Sequence, residues 1–107
     1  MTESAPLGLT DPVDLWVAWG VITRAGAEAC ALTGATGRER VWRSVENVLL
    51  SPLGSDEATM THRLLDAGWL IAGPSGTFED LVDTVPGRRI VAPRYAQRWA
   101  RQSRWTR

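Results

Sequence analysis

The stretch GRERVWRSVENVLL, residues 37 to 50, decides how the rest of the chain is read. Just ahead of it Thr36 stands three residues before Glu39, the spacing of a capping box. Val41, Trp42, Val45, Val48 and Leu49 then recur at i, i+1, i+4, i+7 and i+8, which predicts an amphipathic helix. It should stop near Leu50, because Pro52 disfavours helical geometry at Ser51 and Gly54 follows.

Upstream of that helix, DPVD reads as another helix start. Asp11 can accept backbone N–H bonds as N-cap, Pro12 suits the first helical position, and Asp14 favours the positive end of the dipole. This first helix is expected from Pro12 to about Leu32. A competing reading is a buried strand at LWVAWGVIT, where Val17, Val21, Ile22 and Thr23 are β-branched and Gly20 weakens a helix. Residues 1 to 10, small and without periodicity, read as a flexible leader to a single domain over residues 11 to 107.

Downstream, Ser55 can cap a third helix with Asp56 and Glu57 in its first turn, Met60 and Leu64 on its core side, and Gly68 as its left-handed stop. From Trp69 the pattern changes: WLIA is strand-like, GPSG is turn chemistry, and FEDLVDTV with PGRRIVAP completes a hairpin. Pro93 then opens a last helix over residues 93 to 105. On it Arg94, Arg98, Arg101 and Arg104 share one face, and Tyr95, Ala96, Trp99, Ala100 and Ser103 form the other.

Within this order, the run THRLLDAGWLIAG, Thr61 to Gly73, resembles the end of a winged-helix recognition helix passing into its first wing strand. The matching letters are Leu64 and Leu65 at the helix end, Gly68 as the stop, and Trp69, Leu70 and Ile71 as the strand. The resemblance covers about residues 37 to 92. It implies a winged helix-turn-helix domain, hence a mainly α fold with a small β-hairpin, a winged-helix-like α+β single domain. It also implies DNA binding and a role in transcription regulation, with the third helix in the major groove presenting Thr59, Thr61, His62 and Arg63.

Composition bounds the function classes. At 107 residues, 44% apolar and 22% charged, the chain has the size and make-up of one soluble domain. The longest apolar run, LWVAWGVI, is too short to span a bilayer, and no basic region precedes an apolar stretch at the N-terminus. A cytoplasmic location is therefore expected. Cys30 is the single cysteine, and its setting in EACAL favours a buried, inert thiol. His62 is the only histidine, so a metal site or catalytic triad would hang on it alone. Gly34 and Gly37 lack the lysine and spacing of a phosphate-binding loop. A non-enzymatic protein without cofactor or metal is expected. Trp16, Trp19, Trp42 and Trp69 sit at core spacing and should be buried.

Charge separates along the chain. Residues 1 to 87 hold 12 acidic and 5 basic side chains, and residues 88 to 107 hold none and 7, so −7 faces +7. All twelve cations are arginine, whose planar fork binds phosphate or carboxylate in bidentate fashion. The arginine face of the last helix, with Arg88, Arg89 and the terminal Trp105, is thus expected to contact nucleic acid, DNA in the first place. The alternative is a protein-interaction adaptor or inhibitor that uses the same Arg/Trp surface on an acidic partner. A third option is that the arginines pair with the protein's own acidic body at Glu79, Asp80 and Asp83. A homodimer fits either binding role.

Overall fold

The computed structural model describes residues 4–35 and 37–102, and in it the stretch from 37 to 50 is not a helix. In chain order the elements are a 3-10 turn at Pro6–Gly8, α1 at Pro12–Gly26, β1 at Cys30–Thr33, β2 at Arg40–Val45, β3 at Val48–Pro52, α2 at Ser55–Asp66, β4 at Ile71–Glu79, β5 at Thr84–Val91 and α3 at Arg94–Gln102. The five strands close into a barrel in the order β1-β2-β3-β4-β5. The expectation of a mainly α, winged-helix-like domain is therefore corrected to an α+β fold built on a mixed sheet.

The physical reason lies in the pairing of β2 with β3. The chain reverses at Glu46 and Asn47, which places Val45 opposite Val48 and Ser44 opposite Leu49. The residues that a helix would stack on one face are divided between the two faces of the paired strands: Val41 and Leu49 are buried, whereas Val45 and Val48 lie opposite each other and exposed. The β-branched content of the stretch (Val41, Val45, Val48) tips the balance toward strand. A register shift at Arg43/Ser44 lets the pairing continue to Trp42 and Pro52.

The first helix is likewise shorter than expected. It ends at Gly26 with Ala27 as C-cap, and Glu28, at φ 60, turns the chain into β1. β1 lies between β2 and β5, antiparallel to both, with Ala31 opposite Trp42 on one side and Arg89 on the other. Three of its four residues are buried, and such a strand reads as a short apolar run that periodicity cannot tell from a helix end. The start of α1 is as expected: Asp11 accepts from the N–H groups of Val13 at 2.7 Å and Asp14 at 3.3 Å.

α2 follows the expectation, with Gly68 at φ 80 closing its end, and a β4–β5 hairpin is present, but its turn is not GPSG: residues 73 to 76 lie within β4, where Ser75 and Gly76 pair with Arg88 and Gly87, and the chain reverses at residues 80 to 83. The N-cap of α2 is Gly54 rather than Ser55. α2 carries the chain from β3 to β4, which pair in parallel through Val48 and Glu79 and complete the barrel.

Two apolar clusters result. The larger joins α1, α2 and α3 to the sheet through Leu15, Ile22, Met60, Leu64, Ile90 and Trp99. The smaller, Ala31, Leu49 and Phe78 with Trp42 and Val85 against them, takes one residue from every strand. Residues 4–10 of the expected leader pack on the larger cluster through Ala5, Leu7 and Leu9, and Pro6 is buried. Trp19, Trp42 and Trp69 are only partly buried and Trp16 is 52% exposed, which corrects the expectation that all four lie in the core. Among the described residues no helix is long and apolar enough to cross a membrane.

Candidate functional site

The C-terminal helix is fixed to the body by its aromatic side. Ala96 and Trp99 are buried. The Trp99 ring meets Trp69 edge-on at 6.2 Å, and Trp69 meets Tyr95 in the same manner at 5.4 Å. The Trp19 indole N–H donates to the Ala100 carbonyl at 3.0 Å, the Gln97 amide donates to the Ala92 carbonyl at 2.7 Å, and the Tyr95 hydroxyl donates to the Gly68 carbonyl. With one side held in this way, Arg94, Arg98 and Arg101 all lie exposed on the opposite side. Arg104 and Trp105, expected on the same surface, lie outside the described residues.

The other expected contacts do not gather there. Arg88 turns onto the irregular part of β4, donating from Nε to the Gly73 carbonyl at 2.7 Å and from Nη2 to the Ala72 carbonyl at 3.3 Å. Arg89 crosses to the far end of the barrel, where Nη2 donates to the Glu46 carbonyl at 3.0 Å and to Asn47 Oδ1 at 2.8 Å, and Nη1 lies 3.5 Å from Glu28 Oε1. On α2, Thr59 and Arg63 are exposed and His62 is half-buried. Thr61 is buried, its hydroxyl donating to the Glu57 carbonyl at 2.7 Å, so the expectation that it faces a ligand is corrected. The register that puts polar letters together at 59 to 63 places one of them in the core.

On the outer side of α1 runs a groove with no contiguous trace in the sequence. Between α1 and the start of α2 it encloses about 780 Å³ and is lined by Trp16, Trp19, Arg24, Arg43, Asp56 and Glu57 among others. Trp19 also walls a second recess of about 420 Å³, between α1 and α3, which reaches Arg101. The Trp16 and Trp19 rings sit 6.4 Å apart and tilted by 49°. Arg24 pairs with Glu57 at 2.8 Å, and Arg43 approaches the same carboxylate at 4.0 Å. Charge in the groove is therefore mixed, and its aromatic wall is its open feature.

No family model matches this chain, and no curated protein or solved structure matches it significantly.

Two further observations bear on chemistry. Cys30 is fully buried, and burial pushes its thiol from 9.0 up to about 11, so it is a packing residue and a poor nucleophile. Among the described residues no cluster of three His, Cys, Asp or Glu side chains could hold a metal ion.

Proposed function

We propose that the protein is a non-enzymatic nucleic-acid-binding domain whose phosphate contact is the arginine face of α3. The observation that carries this reading is the sidedness of that helix: Ala96 and Trp99 are buried against the body, and Arg94, Arg98 and Arg101, at i, i+4 and i+7, are exposed. Guanidinium groups at that spacing lie along one line about two helical turns long, which suits consecutive phosphates of a backbone. The exposed Trp16, one ring away from the Trp19 that borders Arg101, offers a stacking surface for an unpaired base. DNA, as duplex or with an exposed single strand, is the ligand to try first.

Three phosphate contacts give a slope of log affinity against log salt of about −2.7 on duplex, or about a fortyfold loss between 50 and 200 mM salt. Fluorescence anisotropy on mixed-sequence duplex and single-stranded DNA, in wild type and in Arg94→Ala, Arg98→Ala and Arg101→Ala, measures this. Each substitution should flatten the slope by about one phosphate, whatever the sequence. Binding that ignores salt, or is unchanged in all three variants, overturns the reading.

A second reading has its own observation. Tyr95 and the paired Ile71 and Val91 are exposed beside the start of α3, so the arginine face adjoins apolar surface of the kind found at protein interfaces. An acidic protein partner would engage both. In that case Ile71→Asp would abolish binding to the partner, whereas a phosphate backbone would be indifferent to the loss of an apolar contact beyond the added charge.

A further inference from the structure

We infer that the end of the barrel between the α1–β1 turn and the β2–β3 turn is a binding site for a small zwitterion of the α-amino-acid class. A pocket of about 440 Å³ opens there, lined by Glu28, Ser44, Val45, Glu46, Asn47 and Arg89 among others. Barrel mouths of this size are common places for small ligands. The inference is independent of α3 and of nucleic acid.

Two polar groups of residues that line this pocket have no partner among the described residues. Ser44 is 1% exposed, yet its hydroxyl makes no hydrogen bond, and the Nε–H of Arg89 is buried and likewise unmatched. Buried donors are nearly always satisfied, so two in one pocket point to a ligand or water that supplies the acceptor. Both residues come to this place through the register of the sheet. Ser44 is paired with Leu49, a member of the small cluster, and Arg89 is paired with Ala31 of the same cluster.

The geometry restricts what the acceptor can be. Arg89 has committed both Nη2 hydrogens to the Glu46 carbonyl and Asn47, and Nη1 faces Glu28, so no edge of the guanidinium is open as a two-donor fork and the buried Nε–H is the donor left over. Together with the Ser44 hydroxyl this suits one carboxylate or carbonyl group, not a phosphate that expects several donors. The rim is acidic: Glu28, 73% exposed at its side chain, and Glu46 outnumber the single arginine. A bare anion would meet that repulsion, whereas a ligand with an ammonium group beside its carboxylate would place the two charges on opposite partners. Glu28 and Glu46 also hold left-handed backbone, φ 60 and 55, which non-glycine residues avoid and which here aims both chain reversals at Arg89. The floor (Ser44, Arg89) would take the carboxylate, and the rim (Glu28, Glu46) the ammonium.

The test is a titration of the full chain with L-alanine, followed by the ¹⁵N–¹H cross-peak of Arg89 Nε, with acetate and ethylammonium as the two halves of the ligand. Expected is a saturable shift of that cross-peak by L-alanine, with acetate and ethylammonium each binding at least tenfold more weakly. Ser44→Ala should weaken L-alanine by about tenfold, the loss of one hydrogen bond to a charged group, and Glu28→Gln should weaken L-alanine while improving acetate. No saturable shift with any of the three, or a cross-peak that shows only exchange with a bound water, overturns the proposal. So would a shift of equal affinity in Ser44→Ala, which would put the ligand elsewhere. A variant whose amide spectrum departs from wild type is replaced by Ser44→Cys, which keeps the volume and loses the strong donor.

Discussion

Gly87 is where the barrel is most sensitive to a single atom. It sits on β5 opposite Thr33 of β1, and a Cβ added there would lie 2.7 Å from the Leu32 carbonyl oxygen and 2.8 Å from Cδ1 of Phe78. Neither neighbour can yield easily, because the first is backbone of a strand paired on both sides and the second is a ring in the small cluster. Overpacking of a well-filled core costs about 1 to 3 kcal/mol, and a clash with backbone belongs at the upper end, so Gly87→Ala should cost about 2 to 3 kcal/mol. For a domain of this size that corresponds to a fall in Tm of roughly 8 to 12 °C. Urea and thermal unfolding followed by tryptophan fluorescence would measure it. Gly76→Ala is the control, since Gly76 pairs with Gly87 but a Cβ there meets nothing within 4 Å, and it should change stability by less than about 0.5 kcal/mol. If Gly87→Ala matched wild type to within that margin, β5 would not lie against β1 as described, and the closed barrel would be wrong.

Two other outcomes are expected. Trp99→Ala removes the buried ring that holds α3 against Trp69 and should cost about 3 to 5 kcal/mol, with the anisotropy signal on DNA falling as α3 loosens. The Cys30 thiol titrates near 9.0 when exposed and at about 11 when folded, so the folded chain keeps its proton longer than the unfolded one does. Stability on this account is constant below about pH 9 and falls between pH 9 and about 11, a dependence that urea midpoints should show in wild type and lose in Cys30→Ala.

Where sequence and structure agree, a local signal outweighs its rivals. Asp11-Pro12 at the start of α1, Gly68 at the end of α2 and the sidedness of α3 each follow from the chemistry of a few adjacent residues, and the structure has them in place. The β4–β5 hairpin is present but its turn is displaced, because Gly73-Pro74-Ser75-Gly76 carries the letters of a turn and sits in the irregular part of β4 instead. The fold class is hidden in the sequence at two places where apolar spacing imitates a helix. Val41, Val45, Val48 and Leu49 match a helical period, yet the strands bury only Val41 and Leu49 and leave Val45 and Val48 exposed, and the turn at Glu46-Asn47 carries no glycine to announce itself. The weight of β-branched valine was the clue that favoured strands. In the same way Ala29-Cys30-Ala31-Leu32 continues the alanine-rich character of α1, although its small, apolar residues are what a strand flanked on both sides requires. Of the candidate surface, Arg94, Arg98 and Arg101 were legible because they belong to one helix. Arg88 and Arg89 were not, since adjacent residues on a strand point to opposite faces, and only the sheet register tells that one caps Gly73 while the other reaches Asn47. The pocket at Ser44 joins residues from three separate strand ends and leaves no contiguous trace.

β1 is held on one side by β2, its neighbour in the chain, and on the other by β5, more than fifty residues later. The same long span separates Trp19 from Ala100 and Glu28 from Arg89. During synthesis, then, a nascent chain that has reached Asp83 has all of α1, α2 and four strands in hand but no β5 to cover β1 and no α3 to cover Trp19. β1 would remain an open edge on the ribosome, a state that invites capture by chaperones or pairing with other chains, until β5 and α3 emerge. Closure of the barrel therefore waits on residues 84 to 102, whatever has folded before them.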